Sequence, residues 1–318
     1  MTTKTVLVTG GAGFVGAHVV ERLARAGVRT RALVHRGEVP GAETVRGDLA
    51  RPDSLRGLCE GVGTVLHLAA RIGGSEQECR AVNEAGTRAL LAEAQRSGVR
   101  RIVQLGTAAV YRDGAHRGAA EGELAEDPES VTSVTRLAGE RLVLEAGGTV
   151  LRPHLVYGRG DRWVVPSLVR LLARLPSWVD GGRARMSLIS VDALADALAE
   201  LAVRDERDER AERTGGPGRV LHAAHPEPVT GRELVETVAR ELGLPLPAGE
   251  TDLAGAMALM GEGPEAVGLR RLVSLLSVDH WYDSGRLWGQ LSASPGPPFA
   301  EAFGAYAAWY RGDRRDAH

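Results

Sequence analysis

The chain has 318 residues, 43% hydrophobic and 25% charged, which fits an ordinary globular protein of about two domains and excludes a disordered one. Thirty-nine basic against 41 acidic residues leave a formal charge of -2, which excludes an electrostatic nucleic-acid binder. No apolar run reaches the ~18 residues needed to span a bilayer.

A strand-like run, Thr5-Val6-Leu7-Val8-Thr9, starts almost at the first residue, so no secretory leader is expected. The two cysteines, Cys59 and Cys79, match neither a metal spacing nor a disulfide framework, so no metal and a reducing cytoplasm are expected. Lys4 is the only lysine, and nearly all positive charge is arginine.

Taken in chain order, the first run leads into a glycine turn. A helical pattern follows with Val15, Val19 and Leu23 on one face, stopped at Gly27. Short β-branched runs recur at Arg31-Ala32-Leu33-Val34, at Thr44-Val45-Arg46 and at Val65-Leu66-His67-Leu68-Ala69-Ala70. A long helix is expected from about Glu76 to Ser97, then a strand at Arg101–Leu105. Asp127 as cap and Pro128 in the first turn predict a helix running to about Ala146, which feeds Thr149-Val150-Leu151.

Strands alternating with helices imply crossover units and a parallel sheet. The expected fold is therefore α/β, a doubly wound Rossmann sheet over 1–152 with a smaller C-terminal substrate-binding lobe over 153–318, partly interleaved with it. In the second half, helices are expected near 163–175, 191–203 and 231–242. Arg204 to Arg213 reads as a solvated helix end, and the aromatic cluster from Phe299 to Tyr310 as a terminal packed helix.

Gly10, Gly13 and Gly16 follow a strand and open a helix, the context that makes a glycine pattern specific for a dinucleotide. Gly10 permits the tight turn, Gly13 lets backbone approach a pyrophosphate, and Gly16 lets the helix lie on the sheet. Phe14 and Val15 open the helix whose N-terminal N–H groups face the phosphates.

An NAD-type fold places an acid about 20 residues on, to hold the ribose 2′-hydroxyl. Here the second strand ends in His35-Arg36, and a guanidinium suits the 2′-phosphate of NADP. An ordinary surface arginine is the alternative. Asp48-Leu49 is placed to meet the adenine. Leu68, Ala69, Ala70, Leu105 and Pro153 are further expected cofactor contacts.

Together these residues resemble the extended short-chain dehydrogenases/reductases, the group of sugar-nucleotide epimerases, dehydratases and related ketoreductases. The resemblance covers about the first 245 residues. It rests on the glycine loop, Asp48-Leu49, His67-Leu68-Ala69-Ala70, Asn83 with Gly86-Thr87, Val110-Tyr111, Leu151-Arg152-Pro153, Val156-Tyr157-Gly158 and Ile189-Ser190-Val191-Asp192-Ala193.

The resemblance implies a serine or threonine after the fifth strand that polarises the substrate oxygen, here Thr107. It also implies a Tyr-x-x-x-Lys pair on the next helix. Here that helix reads Thr132-Ser133-Val134-Thr135-Arg136-Leu137-Ala138-Gly139-Glu140, so Thr132 and Arg136 occupy the two positions. Arg136 could keep the contact with the nicotinamide ribose. Thr132 cannot replace a phenol, because an aliphatic hydroxyl is far too weak an acid.

Base-initiated sugar-nucleotide chemistry is then disfavoured, and reduction of a ketone by NADPH remains. The expected reaction is reduction of a flat aromatic, polyketide-type ketone whose own hydroxyl supplies the proton, as in the tyrosine-free reductases this chain resembles. A catalytically silent NADP(H)-binding protein and an epimerase or dehydratase are the alternatives. Tyr111, His154, Tyr157, Trp163 and Met186 are candidate substrate contacts. His67 reads as a satisfied core histidine, and Ser133 and Thr135 as pointing off the catalytic face. Neither a nucleic-acid nor a membrane partner is expected.

Overall fold

The computed structural model describes residues 5–204, 218–261 and 263–313. Lys4 and most of the Arg204–Arg213 charge run lie outside them. In chain order, β1 (Thr5–Thr9), α1 (Phe14–Arg25), β2 (Thr30–Val34), β3 (Glu43–Arg46) and β4 (Val62–His67) lead to α2 (Glu76–Arg80) and α3 (Thr87–Arg96). Then come β5 (Arg101–Leu105), β6 (His116–Ala119), α4 (Val131–Glu145), β7 (Thr149–Pro153), β8 (Leu155–Tyr157) and α5 (Val164–Arg174). The chain continues through β9 (Ser177–Val179), β10 (Arg185–Met186), β11 (Leu188–Ser190), α6 (Val191–Val203), β12 (Arg219–Ala223) and β13 (Val229–Thr230). It closes with α7 (Gly231–Leu242), β14 (Gly249–Thr251), α8 (Leu253–Leu259), α9 (Pro264–Ser277), β15 (His280–Tyr282) and three short helices beyond.

A strand sends successive side chains to opposite faces, and β1 shows the consequence. Val6 and Val8 join the cluster formed with Val19 and Leu23 of α1 and Leu194 and Leu198 of α6. Leu7 enters a second cluster with Leu33, Val65 and Leu90 on the other face. Helices thus cover both sides of a seven-stranded sheet of order β12-β7-β5-β4-β1-β2-β3, parallel at every pairing. This is the doubly wound Rossmann arrangement, and the order reverses between β1 and β4, where such sheets bind ligands.

Two helix expectations are corrected. The helix from Glu76 is interrupted over Ala81–Gly86 by a wide π-type turn between α2 and α3. There Asn83 turns inward, its amide holding Arg71 N–H and O and the Thr135 hydroxyl, and Gly139 of α4 leaves room for its carbonyl. Such bulges need one extra residue that no periodicity announces. The helix expected from Asp127-Pro128 starts at Val131, capped by the Ser130 hydroxyl, which accepts the Ser133 N–H at 3.1 Å. Asp127 is instead paired with Arg112 at 3.1 Å; two capping residues competed, and the nearer one won.

The two halves interleave. Helix α6 and strand β12 of the second half complete the large sheet, while β6 of the first half joins the four-stranded sheet β13-β10-β15-β6. The second lobe has its own core, in which Leu168, Leu171, Val235, Val238 and Val273 pack with the C-terminal Phe299 and Phe303. The terminal aromatics therefore pack as expected. Tyr310 also donates to Asp161 at 2.9 Å and accepts the Gly158 N–H at 2.8 Å. No helix among the described residues is long and apolar enough to cross a membrane.

Candidate active site

The carboxyl ends of β1, β4, β5 and β7 meet at one rim, and each of them carries a chain segment singled out above. At β1, Gly10 has φ +72°, and a side chain there would press within 2.9 Å of Leu68 and Ala69 backbone. Gly16 leaves no space at all, since a Cβ would overlap the Gly10 carbonyl oxygen. Helix α1 starts at Phe14 with no side-chain cap and no acid in its first turn. The unsatisfied N–H groups of Phe14, Val15 and Gly16 are therefore left for an anion. This is a cradle into which a pyrophosphate fits.

Around that cradle, Thr9 bridges to β4, its hydroxyl engaging His67 Nδ1 at 2.7 Å and the Ala69 N–H at 3.2 Å. His67 Nε2 meets the Thr87 hydroxyl at 2.9 Å, so the imidazole is satisfied inside the core, and burial pushes its pKa down to about 4. His35 and Arg36 are exposed at the end of β2, with His35 Nε2 3.9 Å from the Asp48 carboxylate. Leu49, in contrast, turns its side chain into the core beneath Gly86. It can offer only backbone to an adenine.

After β5, Thr107 is held from both sides. Its N–H donates to Glu140 at 3.1 Å, and its hydroxyl accepts the Ala109 N–H at 3.2 Å. Glu140 is wholly buried and takes Arg152 Nε at 2.8 Å, while Arg152 Nη2 reaches Glu126 at 2.6 Å. Gly106 leaves room for that carboxylate. The Arg152 guanidinium also lies 5.0 Å from the centre of the Tyr111 ring. In the sequence Arg152 stands out only as part of a motif, and nothing local marks Glu140 as its buried partner.

Thr132 and Arg136 do share a face of α4, but both are engaged with backbone. The Thr132 hydroxyl accepts the Gly73 N–H at 3.1 Å. Arg136 Nη2 donates to the Leu105 and Gly106 carbonyls at 3.2 and 2.8 Å.

A cavity of about 580 Å³ opens beside Thr107 and is lined by Tyr111, His154 and Ser133 among others. Ser133 was expected off the catalytic face; the cavity instead reaches the N-terminus of α4 and takes in Glu129, Ser130 and Ser133 together. Thr135 stays buried, donating to the Val131 carbonyl at 2.9 Å. Three candidate contacts fall elsewhere. Tyr157 packs edge-on against Phe299 at 5.0 Å between ring centres, and Met186 is fully buried in the second lobe's core. Trp163 is 65% exposed. A local pattern carries no information on which lobe a side chain fills.

The cavity also receives residues that the linear reading missed: His116, His280 and Tyr282, together with Arg270 and Arg271 of α9. A carbonyl only accepts, so His116 Nε2–H donates to Arg112 O at 3.0 Å and its Nδ1 accepts from the Tyr282 hydroxyl at 2.9 Å. In the same way His222 Nδ1–H donates to Asp283 O at 3.2 Å, and Nε2 accepts from the Tyr111 hydroxyl at 2.6 Å. The two phenols stack with ring centres 5.8 Å apart. Burial raises both phenol pKa values and lowers those of His116, His222 and His280. His154, stacked on His280 at 5.6 Å, is pushed down to about 3, chiefly by burial. The histidines and phenols of this wall are therefore polar but uncharged. Only separation in sequence hid it, since β15 lies more than 160 residues after β6.

Among the described residues no group of three His, Cys, Asp or Glu side chains could hold a metal ion, and Cys59 and Cys79 are free and buried.

Residues 6–213 match the model of the NAD dependent epimerase/dehydratase family. The chain is 29% identical over 309 residues to the 2-alkyl-3-oxoalkanoate reductase of Stenotrophomonas maltophilia (strain K279a), covering 87% of this chain and 90% of that one. It is 27% identical over 267 residues to the 4-hydroxy-2-methyl-3-oxo-4-farnesyl-3,4-dihydroquinoline-1-oxide ketoreductase of Stigmatella aurantiaca, covering 79% and 77%. Among solved structures, MoeE5 in complex with UDP-glucose and NAD superposes with a TM-score of 0.71 at 25% identity, over 99% of this chain and 100% of that one. A short-chain dehydrogenase/reductase superfamily protein from Agrobacterium tumefaciens with bound NAD superposes with a TM-score of 0.74 at 22% identity, over 98% and 99%. With the glycine cradle at the sheet's switch point and the matched family spanning most of the chain, this protein is an NAD(P)-dependent oxidoreductase and belongs to the NAD dependent epimerase/dehydratase family.

Proposed function

We propose that the chain is an NADPH-dependent ketoreductase that reduces one carbonyl of a flat aromatic, angucyclinone-like ketone to an alcohol, with the proton coming from a hydroxyl on the substrate. The observation that carries this reading is the engagement of Thr132 and Arg136. In the positions where the family resemblance expects an acid/base pair, a hydroxyl and a guanidinium are bound to backbone, and neither can release a proton near neutral pH. The ketone-reductase names of the two relatives agree with it, and the compound named for the second has a 4-hydroxy group beside its 3-oxo group.

When bound, the cofactor supplies hydride. The chain's residues do the rest: the glycine cradle and α1 hold the pyrophosphate, and Arg36, exposed and without an ion-pair partner among the described residues, would take the 2′-phosphate. Thr107, fixed through Glu140, orients the carbonyl oxygen, which is a positional contribution. Tyr111 and His154 border the substrate. A cytoplasmic location fits this reading.

A second reading of the proton source rests on a specific observation, the Tyr282–His116 pair in the cavity wall. A buried phenol remains a stronger acid than a forming alkoxide, so Tyr282 is the chain's own rival donor. The sugar-nucleotide alternative draws on the MoeE5 complex but needs a base at position 132.

The test is turnover of a hydroxylated polycyclic ketone with NADPH carrying deuterium at C4. One deuterium on the carbinol carbon, stoichiometric with NADPH consumed, is expected. Thr107→Ala should slow the reaction about tenfold, the low end for losing one positioned hydrogen bond. Interconversion of UDP-sugars without net NADPH loss contradicts the reading.

A further inference from the structure

The cavity beside Thr107 is bounded on its far side by α9, and the residues of α9 that line it, Val267, Arg270, Arg271, Ser274 and Leu275, are spaced three and four apart, one helical face. Two adjacent cations therefore border a cavity whose other α9 and α8 contributions, Val267, Leu275 and Met257, are apolar except for Ser274. Arg112 of the same wall is neutralised by Asp127 at 3.1 Å. Arg270 and Arg271 have no carboxylate within ion-pair distance among the described residues. Asp113 and Glu129 also line the cavity, so it is not uniformly positive. The two α9 cations balance the two carboxylates in number, but among the described residues neither cation is ion-paired.

Burial chiefly holds His154 and His280 in their neutral forms; Arg271 acts in the same direction on both, while Asp113 opposes it at His280. His154 adds a second feature, because its Nε2 is shut off from solvent and has no hydrogen-bond partner. A buried polar atom without a partner is costly unless a ligand completes it.

We propose that the α9 end of this cavity is an anion subsite in which Arg270 and Arg271 hold an acidic group, carboxylate or phenolate, carried by the ketone substrate. The proposal rests on the ketoreductase reading and adds a charge requirement that reading does not contain. Guanidinium pairs suit planar oxyanions, to which they donate paired hydrogen bonds, while the apolar residues beside them accept the substrate's hydrocarbon body.

The test uses the full chain saturated with NADP⁺, so that no turnover occurs, and isothermal titration with anthraquinone-2-carboxylate and its uncharged isostere anthraquinone-2-carboxamide. The carboxylate should bind about tenfold more tightly, the worth of one charge-assisted hydrogen bond. In Arg270→Gln/Arg271→Gln the preference should fall to within about twofold, with the amide's affinity and the melting temperature unchanged, since both side chains are exposed. Equal binding of the pair by the unmodified chain, or a preference that survives the double substitution, overturns the subsite.

Should neither anthraquinone bind, the flat-aromatic reading fails, and 3-oxododecanoate against its amide then reads the arginines alone. A charge preference lost in the double variant supports the subsite with an aliphatic ligand. No preference in either pair overturns it.

Discussion

Replacing Arg152 with methionine is expected to cost about 3–5 kcal/mol of folding stability, read by urea denaturation, because it leaves the Glu140 carboxylate buried without its hydrogen-bonded counter-charge, with only Arg136, whose bonds go to backbone, as a neighbouring cation. Glu140 is inaccessible to solvent and Arg152 2% exposed, so water cannot replace the lost partner. The one remaining hydrogen bond to that carboxylate, from the Thr107 N–H, is too little for a charge in this setting. Because the same carboxylate fixes Thr107, surviving folded protein should also lose turnover. Adding Glu140→Leu should recover part of the stability, since a double apolar replacement leaves no orphaned charge. A cost under about 1 kcal/mol for Arg152→Met would show that the pair is solvated in solution.

The second large effect is expected at Gly16. An alanine there would overlap the Gly10 carbonyl, so either α1 lifts from the sheet or the turn reshapes. Overpacking of this kind costs about 1–3 kcal/mol, and here the distortion falls on the N–H groups that face the phosphates. NADPH affinity, measured by fluorescence titration, should drop by about tenfold to a hundredfold for Gly16→Ala. Gly13→Ala should cost less folding stability, since its Cβ would stand 3.1 Å from the same oxygen, a contact that a shift of a few tenths of an ångström relieves. Equal affinities for Gly16→Ala and the unmodified chain would remove the dinucleotide from this turn.

The large sheet and its cofactor edge were legible because their information is local. Alternation in Thr5–Thr9, glycines at 10, 13 and 16, and the Thr230 cap of α7, whose hydroxyl accepts the Glu233 N–H at 3.1 Å, each lie within one window of sequence. What was not legible depends on pairing across the chain. Tyr282 donates to His116 across 166 positions, and Glu140 meets Arg152 only because α4 and β7 are stacked. Ser133 lines the cavity because the cavity extends past the face of Thr132 and Arg136 to the N-terminus of α4, where Glu129 and Ser130 also border it. Tyr157 and Met186 were drawn to the site by proximity in sequence to Pro153 and Ile189, yet Met186 is wholly buried in the second lobe.

The central claim is that the substrate, not the chain, provides the proton. The most direct measurement is the rate of reduction of a peri-hydroxy aromatic ketone and its methyl ether by the unmodified chain and by Tyr282→Phe. The account predicts turnover of the free hydroxyl compound by both proteins within about threefold, and a loss of about a thousandfold or more on methylation, in line with removal of a positioned acid. Undiminished turnover of the ether by the unmodified chain, abolished by Tyr282→Phe, would contradict it and assign the proton to the phenol on β15.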